Sequence, residues 1–176
     1  MDYTSPLEAS GVYNALANRE GWHSICFADT SFSNAKLSTL LTILQGLPRE
    51  DGIPRRKDLT PQMLRAHLTD IAIYERLAGP DGRERWRVRV MGGKFTEVLG
   101  DFNGKYFDEV LPPQHLERWR AAPEVVLGAC APLRFVSRSE TADKGFITGE
   151  YLMAPLRGDN DALNTVLSAG AFGPTF

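Results

Sequence analysis

The residues best equipped for chemistry sit on one short stretch. Arg83, Arg85, Arg87 and Arg89 alternate with Glu84, Trp86, Val88 and Val90, the period-two pattern that sends successive side chains to opposite faces of a strand. A row of guanidinium groups is an anion site when it faces a carboxylate or phosphate, because each presents a rigid fork of donors. It is a solvated or inter-element face when nearby Asp and Glu neutralise it, and both readings stand at this point. Acid–base chemistry has three candidates, Asp101, Tyr106 and Asp108, which would have to converge inside an apolar cavity with shifted pKa values. His23-x-x-Cys26 offers two metal ligands where a structural site needs four, and neither Cys26 nor Cys130 lies in Cys-x-x-Cys, so no metal is expected. His67 and His115 have no sequence partner and read as exposed or capping residues. Phosphate-binding loops, the dinucleotide glycine pattern and the Gly-x-Ser-x-Gly nucleophile turn are all absent.

Composition narrows the classes further. The 176 residues are 43% hydrophobic and 24% charged, which excludes a disordered chain. Twenty Lys and Arg against 22 Asp and Glu give a net charge of −2, so no nucleic-acid partner is expected from the total. The arginine strand and Arg55, Arg56 and Lys57 form only a local basic patch. Two cysteines point to a reducing compartment. No apolar run approaches the ~20 residues that span a bilayer, and the first residues lack the basic and apolar regions of a signal peptide. A soluble, cytoplasmic protein without membrane contact is expected.

The elements that must position these residues follow from periodicity. Ser5-Pro6 suits a helix start, with Leu7, Val12 and Leu16 as a weak apolar face. Residues 22–27 form a short apolar stretch, and residues 1–32 read as an arm apart from a single domain at 33–176. Leu37, Leu40, Leu41 and Leu44 give a helix over 33–46 with Ser33 and Gly46 as caps. This stripe either covers a sheet or pairs with a second chain, and a homodimer through 33–46 is expected. Thr60-Pro61 starts a short helix to His67. Strands follow at 68–77 and 83–91 around the turn 78–82, then short helical segments at 94–99 and 105–111. A longer helix runs over 115–130, interrupted at Pro123. Strands at 133–138, 146–156 and 163–171 complete the chain, with turns at 141–145 and 157–161. Antiparallel hairpins at both ends with helices between them make an α+β fold on one sheet.

That order resembles the PAS fold, a five-stranded antiparallel sheet with short helices inserted after strand two and, here, an N-terminal helix. Trp86-Arg-Val-Arg-Val-Met-Gly92, then Phe95, Gly100, Gly104 and Tyr106-Phe-Asp-Glu-Val110, resemble a PAS-like family of stand-alone bacterial proteins, mainly alphaproteobacterial. Leu47-Pro48, Ile53-Pro54, Arg56 and the later Ala154-Pro155-Leu156 fit the same family over about residues 35–171.

The resemblance implies a non-catalytic sensory or interaction module that binds a small molecule or a protein partner in bacterial signalling. It names no cofactor, and the Asn-Cys-x-Phe-Leu-type stretch of flavin photosensors is missing. Arg87 and Arg89 match its strand pattern, so an ion pair or a pocket role is expected for them, while Arg83 and Arg85 read as solvated. Phe95, Phe102, Tyr106, Phe107, Leu127, Cys130, Phe135, Tyr151 and Met153 would surround the space between sheet and helices. That space is either a filled core or a pocket in which Tyr106, Cys130 and Tyr151 supply the polar groups. The rival reading is a small cone-shaped α+β enzyme of isomerase or dehydratase type.

Overall fold

The computed structural model describes residues 5–79, 81–141 and 145–173. Helix α1 (Pro6–Arg19) opens at Ser5, whose hydroxyl accepts from the Glu8 amide at 3.2 Å, with proline in the first turn. Strand β1 (Ser24–Phe27) follows, then α2 (Ala35–Gln45). The hairpin β2 (Arg49–Glu50) and β3 (Ile53–Pro54) turns at Asp51-Gly52. Both turn residues have positive φ, at 50° and 80°, the twist a two-residue hairpin favours. Strands β4 (Ile71–Ala78) and β5 (Glu84–Met91) lead to α3 (Gly93–Leu99), α4 (Phe107–Val110) and α5 (Pro113–Ala129). The chain closes with β6 (Leu133–Thr141), β7 (Gly145–Arg157) and β8 (Leu163–Gly173).

Six strands form the main sheet in the order β1-β6-β7-β8-β4-β5, all neighbours antiparallel. Five of them make the expected PAS-like sheet, and β1 adds a sixth at the β6 edge. The stretch read as an arm therefore supplies a strand and a helix to the sheet. Asn14 on α1 fixes β1 by accepting from the Cys26 amide and donating to its carbonyl, both at 2.8 Å, which satisfies an edge that would otherwise be open. The buried side of α1 is Ala9, Ser10, Tyr13 and Ala17. Leu7, 74% exposed, and Val12 point away, the reverse of the expected apolar face.

Both faces of the sheet are covered, because successive residues of β4, β7 and β8 are buried in turn on either side. Ile71, Leu152, Leu156 and Leu167 meet α2 on one face, while Tyr74, Met153 and Val166 meet α1, α3, α4 and α5 on the other. The leucine stripe of α2 is spent inside the chain: Leu37, Leu40, Leu41 and Leu44 are all buried. Each such burial is worth roughly 1.5–3 kcal/mol, so that stripe is a cover for the sheet and not a free dimer face.

The cap of α2 is Asn34, whose side chain accepts from the Lys36 amide, and not Ser33. Ser33 instead bonds Glu150 of β7 through its amide and its hydroxyl. Pro123 is accommodated within one continuous α5 rather than dividing it. Residues 61–69 form turns rather than a helix, and His67 is buried rather than exposed or capping. Burial holds its pKa below the usual imidazole value, against the pull of Asp70. The expected turn at 141–145 falls mostly, and Pro80 wholly, outside the described residues.

Candidate ligand-binding site

The arginine strand is the first place to look for a site, and its charges are already taken. Arg87 donates to the buried Glu75 across the hairpin at 2.7 Å, and Arg89 bonds the same carboxylate and Asp159. Register places Glu75 opposite Arg87. Arg85, expected in solvent, grips Asp108 and Glu109 and lies 3.9 Å above the Tyr106 ring. The alternation also fails near its end. A bulge between Ile73 and Tyr74 on the β4–β5 pairing leaves Val90 42% exposed and turns Met91 into the core. Arg55 and Arg56 pair with Asp161 and Asp159. The arginines of the basic patch are thus each paired with neighbouring acids.

A partly open cavity of about 80 Å³ lies between the sheet and its helical cover. Its walls are mostly aromatic. From the sheet come Tyr74, Phe135, Tyr151, Met153, Ser137 and Ser168; the helices add Tyr13, Phe95, Leu99, Arg118, Trp119 and Ala122. Phe95, Phe135, Tyr151 and Met153 are the expected lining residues that the fold brings together here. Arg87, Arg89, Tyr106 and Cys130 lie elsewhere. Cys130 is exposed and ends α5 in the left-handed conformation, φ 50°, while Tyr106 stacks under Arg85 at the outer edge. Phe102 and Phe107 pack around Trp119 behind the wall.

Tyr13, Trp119 and Arg118 are the functional side chains that sequence reasoning missed. Trp119 and Arg118 lie on the helix expected over residues 115–130, but that helix's spacing alone did not single them out as cavity residues. Tyr13 had no local signal, because its place depends on α1 docking over Phe135, ring centroids 5.1 Å apart.

Polar groups in the cavity are few and ordered. The Tyr13 hydroxyl is 2.8 Å from the Ser24 hydroxyl, which is 2.6 Å from that of Ser137. Burial raises the pKa of Tyr13, with Ser24 and Arg118 pulling it back. Burial pushes Tyr151 up to about 12, again opposed by Arg118. Tyr74 is raised by burial too, against its bond with Ser168. These phenols are neutral hydrogen-bonding groups at physiological pH.

No carboxylate, imidazole or thiol lines the cavity among the described residues. Asp101 is exposed and binds Asn103, which holds its carboxyl below the usual value, and Asp108 is held low by Arg85. The three acid–base candidates therefore do not converge. Cys26 faces the core, where burial pushes its thiol to about 12, and no cluster of three metal-ligating side chains occurs among the described residues.

A groove of about 680 Å³ adjoins the cavity and shares Leu99, Arg118 and Trp119 with it. Trp22, Phe102, Leu111 and the rim residues His23, His115 and Arg138 form the rest of its wall. Ligand pockets of drug-sized molecules occupy roughly 300–1,000 Å³. The inner cavity alone is too small for one, whereas cavity and groove together are not.

Comparison with known proteins fits this architecture. The sequence pattern of the PAS domain matches residues 35–170. The chain belongs to the PAS domain family. No curated protein matches it in sequence. Among solved structures, an RNA-binding light-oxygen-voltage receptor is similar at 16% identity and a TM-score of 0.41. The match covers 72% of this chain and 36% of that one, so the chain spans about a third of the receptor's length. The Rhodobacter sphaeroides LOV protein is similar at 12% identity and a TM-score of 0.39, over 81% of this chain and 69% of that one. No helix among the described residues is long and apolar enough to cross a membrane.

Proposed function

We propose that this PAS domain is a non-catalytic sensor that binds a small molecule at the cavity and groove and reports occupancy through its N-terminal elements. One observation carries the reading: Tyr13, on α1, is a wall of the same cavity whose floor is the sheet. A ligand that enters presses on α1, and α1 is tied to β1 by Asn14 and by the Tyr13–Ser24–Ser137 hydroxyl chain. Binding energy is then spent directly on the position of the one helix outside the family match. Phe95, Phe135, Tyr151 and Met153 are the contacts to the apolar part of the ligand. The reading includes a protein partner that receives the signal in a bacterial cytoplasm. It also includes a homodimer, expected at twice the chain mass in light scattering, whose contact lies away from the covered leucine stripe.

Native mass spectrometry of the purified protein, compared with its denatured mass, tests the proposal. A non-covalent adduct of a few hundred daltons is the order of mass expected for a drug-sized ligand of that volume. A ligand-free mass, together with no thermal stabilisation by any compound of a small-metabolite set, would leave a protein-interaction module whose cavity is packing alone.

A further inference from the structure

Within that small-molecule reading, we infer that the ligand is an organic monocarboxylate, its carboxylate held by Arg118 at the junction of cavity and groove and its apolar body laid along the groove. The starting observation is the state of Arg118. Among the described residues, Arg49, Arg65, Arg118 and Arg120 have no hydrogen-bonded or ion-paired acid, and of these Arg118 alone is partly buried. Arg55, Arg56, Arg76, Arg85, Arg87, Arg89, Arg134 and Arg157 all grip carboxylates. A guanidinium drawn partly out of water pays a desolvation cost that an anion offsets.

Its surroundings specify that anion. Leu99 and Trp119 flank it, and both line the inner cavity and the groove. Low local polarity strengthens a charge-assisted bond. Tyr13 and Tyr151 line the same cavity as Arg118, and burial raises the pKa of both against the pull of Arg118, so neutral donors share the site with the guanidinium. One planar fork matches one carboxylate in two parallel bonds. The rim adds little opposing charge: its single acid, Glu20, is bonded by Arg19 at 2.8 Å. The apolar walls Trp22, Phe102, Leu111 and Trp119 then call for a hydrocarbon or aryl body rather than a bare ion. Trp22 belongs to the segment between α1 and β1, so the carboxylate site is completed by residues that lie outside the family match.

Octanoate is the probe, octan-1-ol its neutral counterpart, and intrinsic tryptophan fluorescence the readout, with Trp22 and Trp119 of the three tryptophans lining the groove. Octanoate should give a saturable change, and Arg118→Gln should weaken it by about tenfold or more at an unchanged melting temperature, as expected for loss of a hydrogen-bonded charge pair. Octan-1-ol should bind more weakly and be indifferent to the substitution. Should Arg118→Gln fail to fold, Arg118→Lys keeps the charge without the fork and must still weaken octanoate severalfold. Equal binding of octanoate and octan-1-ol, or no effect of either variant, would overturn the carboxylate assignment while leaving a neutral-ligand sensor intact. A saturable change with inorganic phosphate alone would overturn the requirement for an apolar body. No change with either C8 probe would overturn the carboxylate site, and the adduct mass then decides separately whether the cavity binds anything.

Discussion

Gly92→Ala should lower the melting temperature by roughly 6–12 °C, while Gly93→Ala leaves it within about 2 °C of the parent, since a domain of this size loses about 2–4 °C per kcal/mol. The two glycines are adjacent but meet different surroundings. A β-carbon at Gly92 would lie 2.3 Å from the Leu68 carbonyl oxygen and 2.6 Å from that of Thr69. Both obstacles are backbone, so no side-chain rotation relieves them. The same crossing is fixed on each side by hydrogen bonds from the Gly92 amide to Ile71 and from the Lys94 amide to Thr69, at 2.8 and 2.9 Å. Forcing extra volume into packed structure costs about 1–3 kcal/mol, and more where the backbone itself must move; about 3 kcal/mol is expected here. A β-carbon at Gly93 meets nothing within 4 Å, and alanine is the better residue in the first turn of α3. The consequence reaches the site, because α3 carries Phe95 and Leu99 into the cavity wall. Circular-dichroism melts of the two variants check the contrast. A Gly92→Ala melt at the parental temperature would mean that β5 separates from residues 68–71 at no cost.

The same strand shows how far the sequence could be read. Alternation identified β5 and its hairpin, and the leucine spacing identified α2, because both signals are local and each buried face is lined by large apolar side chains. The bulge that turns Val90 outward and Met91 inward left no mark on the Arg-Val-Arg-Val pattern. Helix α1 was misjudged for a physical reason. Its buried face is built from the small residues Ala9, Ser10 and Ala17 together with Tyr13, which packs on Phe135, while Leu7 and Val12 face water. Strand β1 pairs Ser24 with Ser137 and Phe27 with Arg134, more than a hundred residues away, and four residues carry too little pattern to announce such a partner. At the site, composition located the aromatic walls but not the polar ones. Tyr151 and Met153 were read from the inward side of β7, whereas Cys130 was assigned as an inward residue of α5 and turned out to be its exposed cap. Glu75 was recoverable in principle, since the hairpin register sets it directly across from Arg87.

Glu150→Ala should cost about 3–5 kcal/mol, the range for removing one partner from a buried charged pair, and Glu150→Gln should reduce the dependence of stability on pH. Glu150 is 1% exposed. It accepts from the Ser33 amide and hydroxyl at 3.0 and 2.7 Å, from the Asn34 amide at 3.1 Å, and from Arg134 at 3.1 Å. Burial pushes its pKa up, but these donors outweigh burial and hold it below the usual carboxylate value. A carboxyl depressed in the folded state contributes its stability fully above the unfolded value, about 4.3, and loses it as pH falls through the folded value. The parent should therefore lose stability below about pH 5 relative to Glu150→Gln, so the gap between them narrows as acid is added. Urea unfolding of both proteins from neutral pH downward measures that gap, and parallel curves would show that the carboxylate is not what secures α2. The bonds matter because they fasten the start of α2, and with it the leucine stripe, to the sheet strand that also presents Tyr151 and Met153 on its opposite face. With Glu150 replaced by alanine, Ser33 and Asn34 lose their acceptor and Arg134 its pair. Leu37, Leu40, Leu41 and Leu44 then gain access to solvent as α2 loosens, and an exposed stripe of that kind associates with copies of itself. Glu150→Ala is accordingly the variant in which the leucine helix becomes an intermolecular surface, and concentration-dependent association in that variant, absent from the parent through α2, is the physical counterpart of the fold's choice to cover its sheet from within.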